Sequence, residues 1–127
     1  MRSNVNTHQV DLFLPTVEVK KRLKKIVVTG RSRMPDAGEY YNDFANTLSD
    51  HYVNFKRTLI LEFYFDYINT GSSKWLLFLV QFLDTLKKER GGLIEIIWKY
   101  DQDDETIQET GEVLKANVSI PIVLKAI

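Results

Sequence analysis

The sequence predicts a two-layer α/β sandwich, with a mixed sheet of about five strands and three principal helices on one face. Three observations predict it. Residues 57–68 and 93–100 alternate apolar side chains at a period of two, the signature of half-buried strands. Three other stretches repeat their apolar residues at helical spacing. Strand and helix signals follow one another in the order ββαβαβαβ. Crossovers between parallel strands are right-handed, so strands in simple order put all the helices on one side.

Val17 and Val19 alternate with Glu18 and Lys20, which reads as a short strand. Lys20-Lys21-Arg22 turns the chain, and residues 24–29 read as a second strand, closing a hairpin. Gly30-Arg31-Ser32 then leads to Pro35, read as a first-turn residue of a helix. Tyr41, Phe44, Leu48 and Tyr52 form that helix's inner face. In residues 57–68, Leu59, Leu61, Phe63, Phe65 and Tyr67 share one face, and Ile60, Glu62, Tyr64, Asp66 and Ile68 the other. Asn69-Thr70-Gly71 breaks the strand, and Ser72 is read as the cap of a long helix ended by Gly91-Gly92. Ile94, Ile96, Trp98 and Tyr100 line the next strand. The acidic run at 101–105 suits the positive end of a third helix, whose inner face holds Ile107, Gly111, Leu114 and Val118. A glycine in mid-helix costs about 1 kcal/mol against alanine, so Gly111 points to a close approach of backbone to a neighbour. Residues 122–127 form the last strand after Pro121.

The 127 residues fit one domain, with residues 1–9 read as a loose N-terminal arm. Apolar residues make up 44% and charged residues 27%, enough for a true core. Lys plus Arg and Asp plus Glu both number 17, so no global basic field favours nucleic acid. There is no Cys, which removes disulfides, thiol nucleophiles and thiolate metal sites. The polar first nine residues lack a signal-peptide core, and the longest apolar run, 75–80, is far short of a membrane span. A cytoplasmic protein without membrane partner is the expectation.

The turn Tyr67-Ile68-Asn69-Thr70-Gly71-Ser72-Ser73-Lys74 brings three hydroxyls to a strand-to-helix junction, where free N–H groups favour an anion. Its plainer reading is a turn with an N-cap. Trp75, Phe78 and Phe82 form an aromatic stripe beside the Leu76, Leu79, Leu83 and Leu86 stripe. It is either a broad core face or a docking surface. Asp101, Asp103, Asp104 and Glu105 lack calcium-loop spacing and read as a solvated helix start. The five cations among residues 20–25 read as a wet hairpin turn, or else as an electrostatic contact. His8 and His51 are not placed like metal ligands, so neither metal nor organic cofactor is expected. No GxSxG, HExxH, Walker or GxGxxG motif occurs, and the Glu62/Asp66 pair reads as the wet face of a strand rather than as a catalytic pair.

Several of these segments together resemble the SiaC family of regulatory phosphoproteins. They are Gly30-Arg31-Ser32, Tyr41, the 67–74 turn, Trp98-Lys99-Tyr100 with its acidic run, Glu109, Gly111, Glu112 and Pro121. The resemblance runs from about Val17 to the C-terminus. Its most specific part is 69–74, where the family usually reads Asn-Thr-Ser-Ser-x-Lys and this chain has Gly71 for the first Ser. The resemblance implies a STAS-like organisation, similar to anti-sigma-factor antagonists, and no enzymatic activity. It implies Thr70 as phosphoacceptor, with Arg31, Ser32, Asn69, Gly71, Ser72, Ser73 and Lys74 as partner-binding positions. It further implies a Ser/Thr protein kinase and a PP2C-type phosphatase acting on Thr70. In some bacteria the unmodified family protein binds and activates a diguanylate cyclase and so affects biofilm formation. The residues alone leave open a small ligand- or anion-binding domain that uses the 69–73 turn, and a structural oligomer subunit.

Overall fold

The computed structural model describes residues 13–127. The expected loose arm at residues 1–9, with His8, lies outside the described residues. The sheet has five strands in the order β1-β2-β3-β4-β5: Thr16–Lys20, Lys25–Ser32, Thr58–Ile68, Leu93–Tyr100 and Ile122–Ala126. β1 pairs antiparallel with β2, and every later neighbour is parallel. The helices α1 (Ala37–Asn54), α2 (Thr70–Arg90) and α3 (Glu105–Ala116) are the three crossovers. Each joins adjacent parallel strands, so right-handed connections lay all three on one face.

The alternation read from the sequence selects that face. Ile26, Val28, Leu59, Leu61, Phe63, Ile94, Ile96 and Trp98 are fully buried beneath Tyr41, Leu48, Tyr52, Leu76, Leu79 and Leu83. β1 is a different case, because the helices do not reach the edge strand and Val17 and Val19 stay exposed.

Four boundaries differ from expectation, each for a local reason. β2 continues through Gly30 to Ser32, because a register shift between Gly30 and Arg31 keeps the strand paired to β3. Pro35 is not in the first turn of α1. Asp36 follows it as N-cap, its Oδ1 accepting from Glu39 N at 3.0 Å. Arg57 does not begin β3: Lys56 and Arg57 both take left-handed backbone, with φ of 58° and 60°. That turn is held by Arg57 N donating to Tyr52 O and by Leu93 N donating to Arg57 O. Gly92 is needed beside it, since a Cβ there would sit 2.1 Å from Arg57 O at a φ of +80°. Finally, α2 is not capped by Ser72; its cap is Asn69.

Gly111 fulfils its expectation. A Cβ at this position would lie 2.4 Å from Cδ1 of Trp98, so α3 sits directly on the indole. Trp98 Nε1 in turn donates to Ile107 O at 2.9 Å. Beyond the sequence reading, Asp84 on α2 is buried and accepts from Ser119 N and Ile120 N, both at 3.1 Å. It fastens the loop that delivers β5.

Glu62 is not on a wet face. It lies diagonally between Lys25 and Lys99 on the neighbouring strands, at 2.8 and 3.2 Å, and is only 8% exposed. Burial pushes its carboxyl up, but the two ammonium groups outweigh that and hold it below the usual range. Asp66 remains exposed and pairs with Arg31, so the two carboxylates do not form a pair.

Candidate functional site

β3 ends at Ile68, and the next residue, Asn69, is still extended, with φ −79° and ψ 167°. Its side chain closes the turn: Oδ1 accepts from Ser72 N at 2.8 Å, satisfying one of the free donors at the start of α2. The Asn69 backbone N donates to Ser32 O at 3.0 Å, which ties the turn to the end of β2.

Beneath the turn lies a closed polar network. Ser72 is fully buried, and its Oγ donates to Ser32 O at 3.2 Å and approaches Met34 Sδ at 3.4 Å. Ser32 is fully buried as well, sharing a 2.6 Å hydrogen bond with the Tyr41 hydroxyl. Burial pushes the Tyr41 phenol far up, against the opposing effect of the Ser32 hydrogen bond, so the group stays neutral. Ser32 and Ser72, expected among the partner-binding positions, therefore build the floor of the turn rather than its surface.

The exposed positions are Thr70, Gly71 and Lys74, with Arg31 at the end of β2. Thr70 is the first residue of α2. Gly71 has no left-handed backbone, and a Cβ added there meets nothing closer than Asn69 Oδ1 at 3.9 Å. The turn does not need glycine for its shape, so a serine would fit without strain. Ser73 is half-buried and its hydroxyl points back to Asn69 O at 3.5 Å.

Sequence reasoning missed Arg33. With β2 extended to Ser32, alternation turns Ser32 and Met34 inward and Arg31 and Arg33 outward. The Arg33 guanidinium lies 5.4 Å from the centre of the Tyr67 ring and 5.8 Å from that of Phe13. Arg31, Arg33, Asp66 and Tyr67 line a cleft of about 450 Å³ at this end of the sheet. The signal was present in Gly30-Arg31-Ser32-Arg33, but ending the strand at Thr29 hid it.

The remaining candidates resolve locally. Trp75 is half-buried against Gly38 of α1, where a Cβ would lie 2.8 Å from the indole, and Phe78 stands edge-on to it with the most exposure of the stripe. In the acidic run, Asp104 caps α3 through Ile107 N at 3.0 Å, and Asp101 accepts from the Tyr64 hydroxyl. Among the described residues no group of three or more His, Cys, Asp or Glu could hold a metal ion. The basic run forms a short 3-10 turn at Lys21–Leu23, and Lys25 serves Glu62. No helix among the described residues is long and apolar enough to cross a membrane.

Three comparisons bear on this arrangement. The chain matches a family model described as SiaC family regulatory phosphoprotein over residues 8–127. It also resembles solved structures at low sequence identity. With a chain of the crystal structure of the diguanylate cyclase SiaD in complex with its activator SiaC, from Pseudomonas aeruginosa, the TM-score is 0.78 at 19% identity, covering 93% of this chain and 96% of that one. With apo-SiaC from the same organism the TM-score is 0.77 at 18% identity, covering 92% and 94%. At this identity the likeness establishes a shared fold. No curated protein matches the chain by sequence.

Proposed function

This chain belongs to the SiaC family of regulatory phosphoproteins, and on that premise we propose that it is a non-enzymatic binding module switched by phosphorylation of Thr70. A Ser/Thr kinase adds the phosphate, a PP2C-type phosphatase removes it, and the unmodified form binds an output protein in the cytoplasm. A diguanylate cyclase is the first candidate for that output, because the P. aeruginosa SiaC of the complex is an activator of one.

One observation carries this reading. Of the three hydroxyl residues at the turn, Thr70 alone is exposed, while Ser72 is sealed in the core and Ser73 is half-buried with its hydroxyl turned to Asn69 O. A phosphoryl donor needs an accessible hydroxyl, and only Thr70 offers one without opening the helix. A phosphate placed there lies at a helix N-terminus, where negative charge is electrostatically favoured, so modification leaves the fold intact. What it alters is the surface: about −1.5 to −2 charges appear where a neutral hydroxyl stood. A partner shaped to a neutral hydroxyl then has to bury a dianion.

The test is phosphopeptide mapping after incubation with the paired kinase. The expected result is a single added phosphate, on Thr70, removed by the PP2C-type phosphatase. Phosphate on Ser73 with Thr70 unmodified would overturn the assignment.

A further inference from the structure

The geometry points to Arg33 as the internal receptor of the Thr70 phosphate: once Thr70 is phosphorylated, the phosphoryl oxygens take the Arg33 guanidinium in the cleft beside the turn, with Lys74 as second cation. This rests on the phosphorylation proposed above and deepens it from a blocked surface to a rearranged one.

Placement comes first. Ser32 and Ile68 are partners across the parallel β2–β3 ladder, so Arg33 stands beside Asn69. Two hydrogen bonds fix that neighbourhood, Asn69 N to Ser32 O at 3.0 Å and Asn69 Nδ2 to Met34 O at 3.5 Å, on either side of Arg33. Neighbouring strands lie about 5 Å apart and consecutive Cα atoms 3.8 Å, which puts the Arg33 and Thr70 Cα atoms within roughly 9 Å. A long arginine and a phosphothreonine span that gap between them. Lys74 follows Thr70 by four residues on α2, and positions four apart share a helix face.

Charge comes second. The cleft of about 450 Å³ holds two guanidiniums and one carboxylate. Asp66 is matched by Arg31, Oδ1 to Nε at 3.7 Å. Among the described residues no carboxylate lies within ion-pair distance of Arg33 or Lys74. Among the described residues the cleft therefore keeps one guanidinium without a carboxylate partner, parked on the rings of Tyr67 and Phe13, although Asp66 is a like charge to any phosphate that enters. Guanidinium binds phosphate through paired N–H donors, a stronger interaction than its contact with an aromatic face. Transfer from ring to phosphate would uncover Tyr67, which is 47% exposed already, and so change the partner surface at a second point.

The experiment uses the full chain with phosphothreonine incorporated genetically at position 70, so it requires no kinase and is independent of whether cells phosphorylate Thr70. The second pKa of the phosphate, ordinarily about 6, is read by phosphorus NMR. Wild type is expected to titrate about half a unit or more below Arg33→Gln, because a nearby cation favours the dianion. Arg33→Lys is expected between them, keeping the charge without the fork. Arg22→Gln, at the opposite end of the sheet and equal in net charge change, is expected to match wild type. Equal pKa values in wild type and Arg33→Gln would overturn the proposal, and so would an equal rise in Arg22→Gln, which would make the effect one of overall charge.

Discussion

Thr70→Asp is expected to fold normally and to bind the output partner at least tenfold more weakly, whereas Thr70→Ala is expected to fold, accept no phosphate and bind like wild type. Stability should hardly move in either variant. Thr70 is exposed, and among the described residues no hydrogen bond of its side chain contributes to the turn, which is closed by Asn69 and Ser72. Surface changes of this kind stay within about 0.5 kcal/mol. A carboxylate in the first turn of α2 even gains about 0.3–1 kcal/mol from the helix dipole. Binding is the opposite case. A tenfold loss corresponds to about 1.4 kcal/mol, less than the usual cost of enclosing one unpaired charge in an interface. Calorimetric titration of each variant with the partner, beside urea unfolding, separates the two effects. Equal affinity of the Asp variant and wild type would argue that the partner does not cover Thr70.

Trp98→Ala is expected to remove about 3–5 kcal/mol of stability, a large share of what a domain of this size has. The indole is fully buried, 5.4 Å from the Phe63 ring and 5.9 Å from that of Phe65. It is also the seat of α3, through contact with Gly111 and the bond from Nε1 to Ile107 O. Removing it leaves a cavity beneath a helix that has lost its hydrogen-bonded anchor. Trp98→Phe refills part of the volume without the bond and should fall between. Urea midpoints give the order directly, and a loss below 1 kcal/mol for alanine would mean that α3 docks by other contacts.

The sequence made the strands and helices legible wherever one periodicity ran unbroken. Residues 57–68 are the clearest example, because four large apolar side chains repeat at every second place and the helices cover that face. The boundaries were less legible, since they depend on hydrogen bonds between segments distant in sequence. Ser72 looks like a cap, yet it is fully buried, because Ser32 at the end of β2 and Met34 just after it receive its hydroxyl. Arg57 looks like a strand residue, yet a left-handed turn held from Tyr52 and Leu93 places it before the strand. Asp84 looks like a polar spacer in α2 and is instead the acceptor for two backbone groups of the β5 loop. At the candidate site, the exposed Thr70 followed from a strand ending where a helix begins. Arg33 did not, because its approach to Tyr67 exists only once β2 and β3 lie side by side.

The most direct measurement is the affinity of the protein for the diguanylate cyclase proposed as its output, compared between unmodified protein and protein carrying phosphothreonine at position 70. The account predicts tight binding of the unmodified form and at least a tenfold loss with the phosphate, at unchanged thermal stability. Equal binding by both forms, or tighter binding by the phosphorylated one, would contradict it.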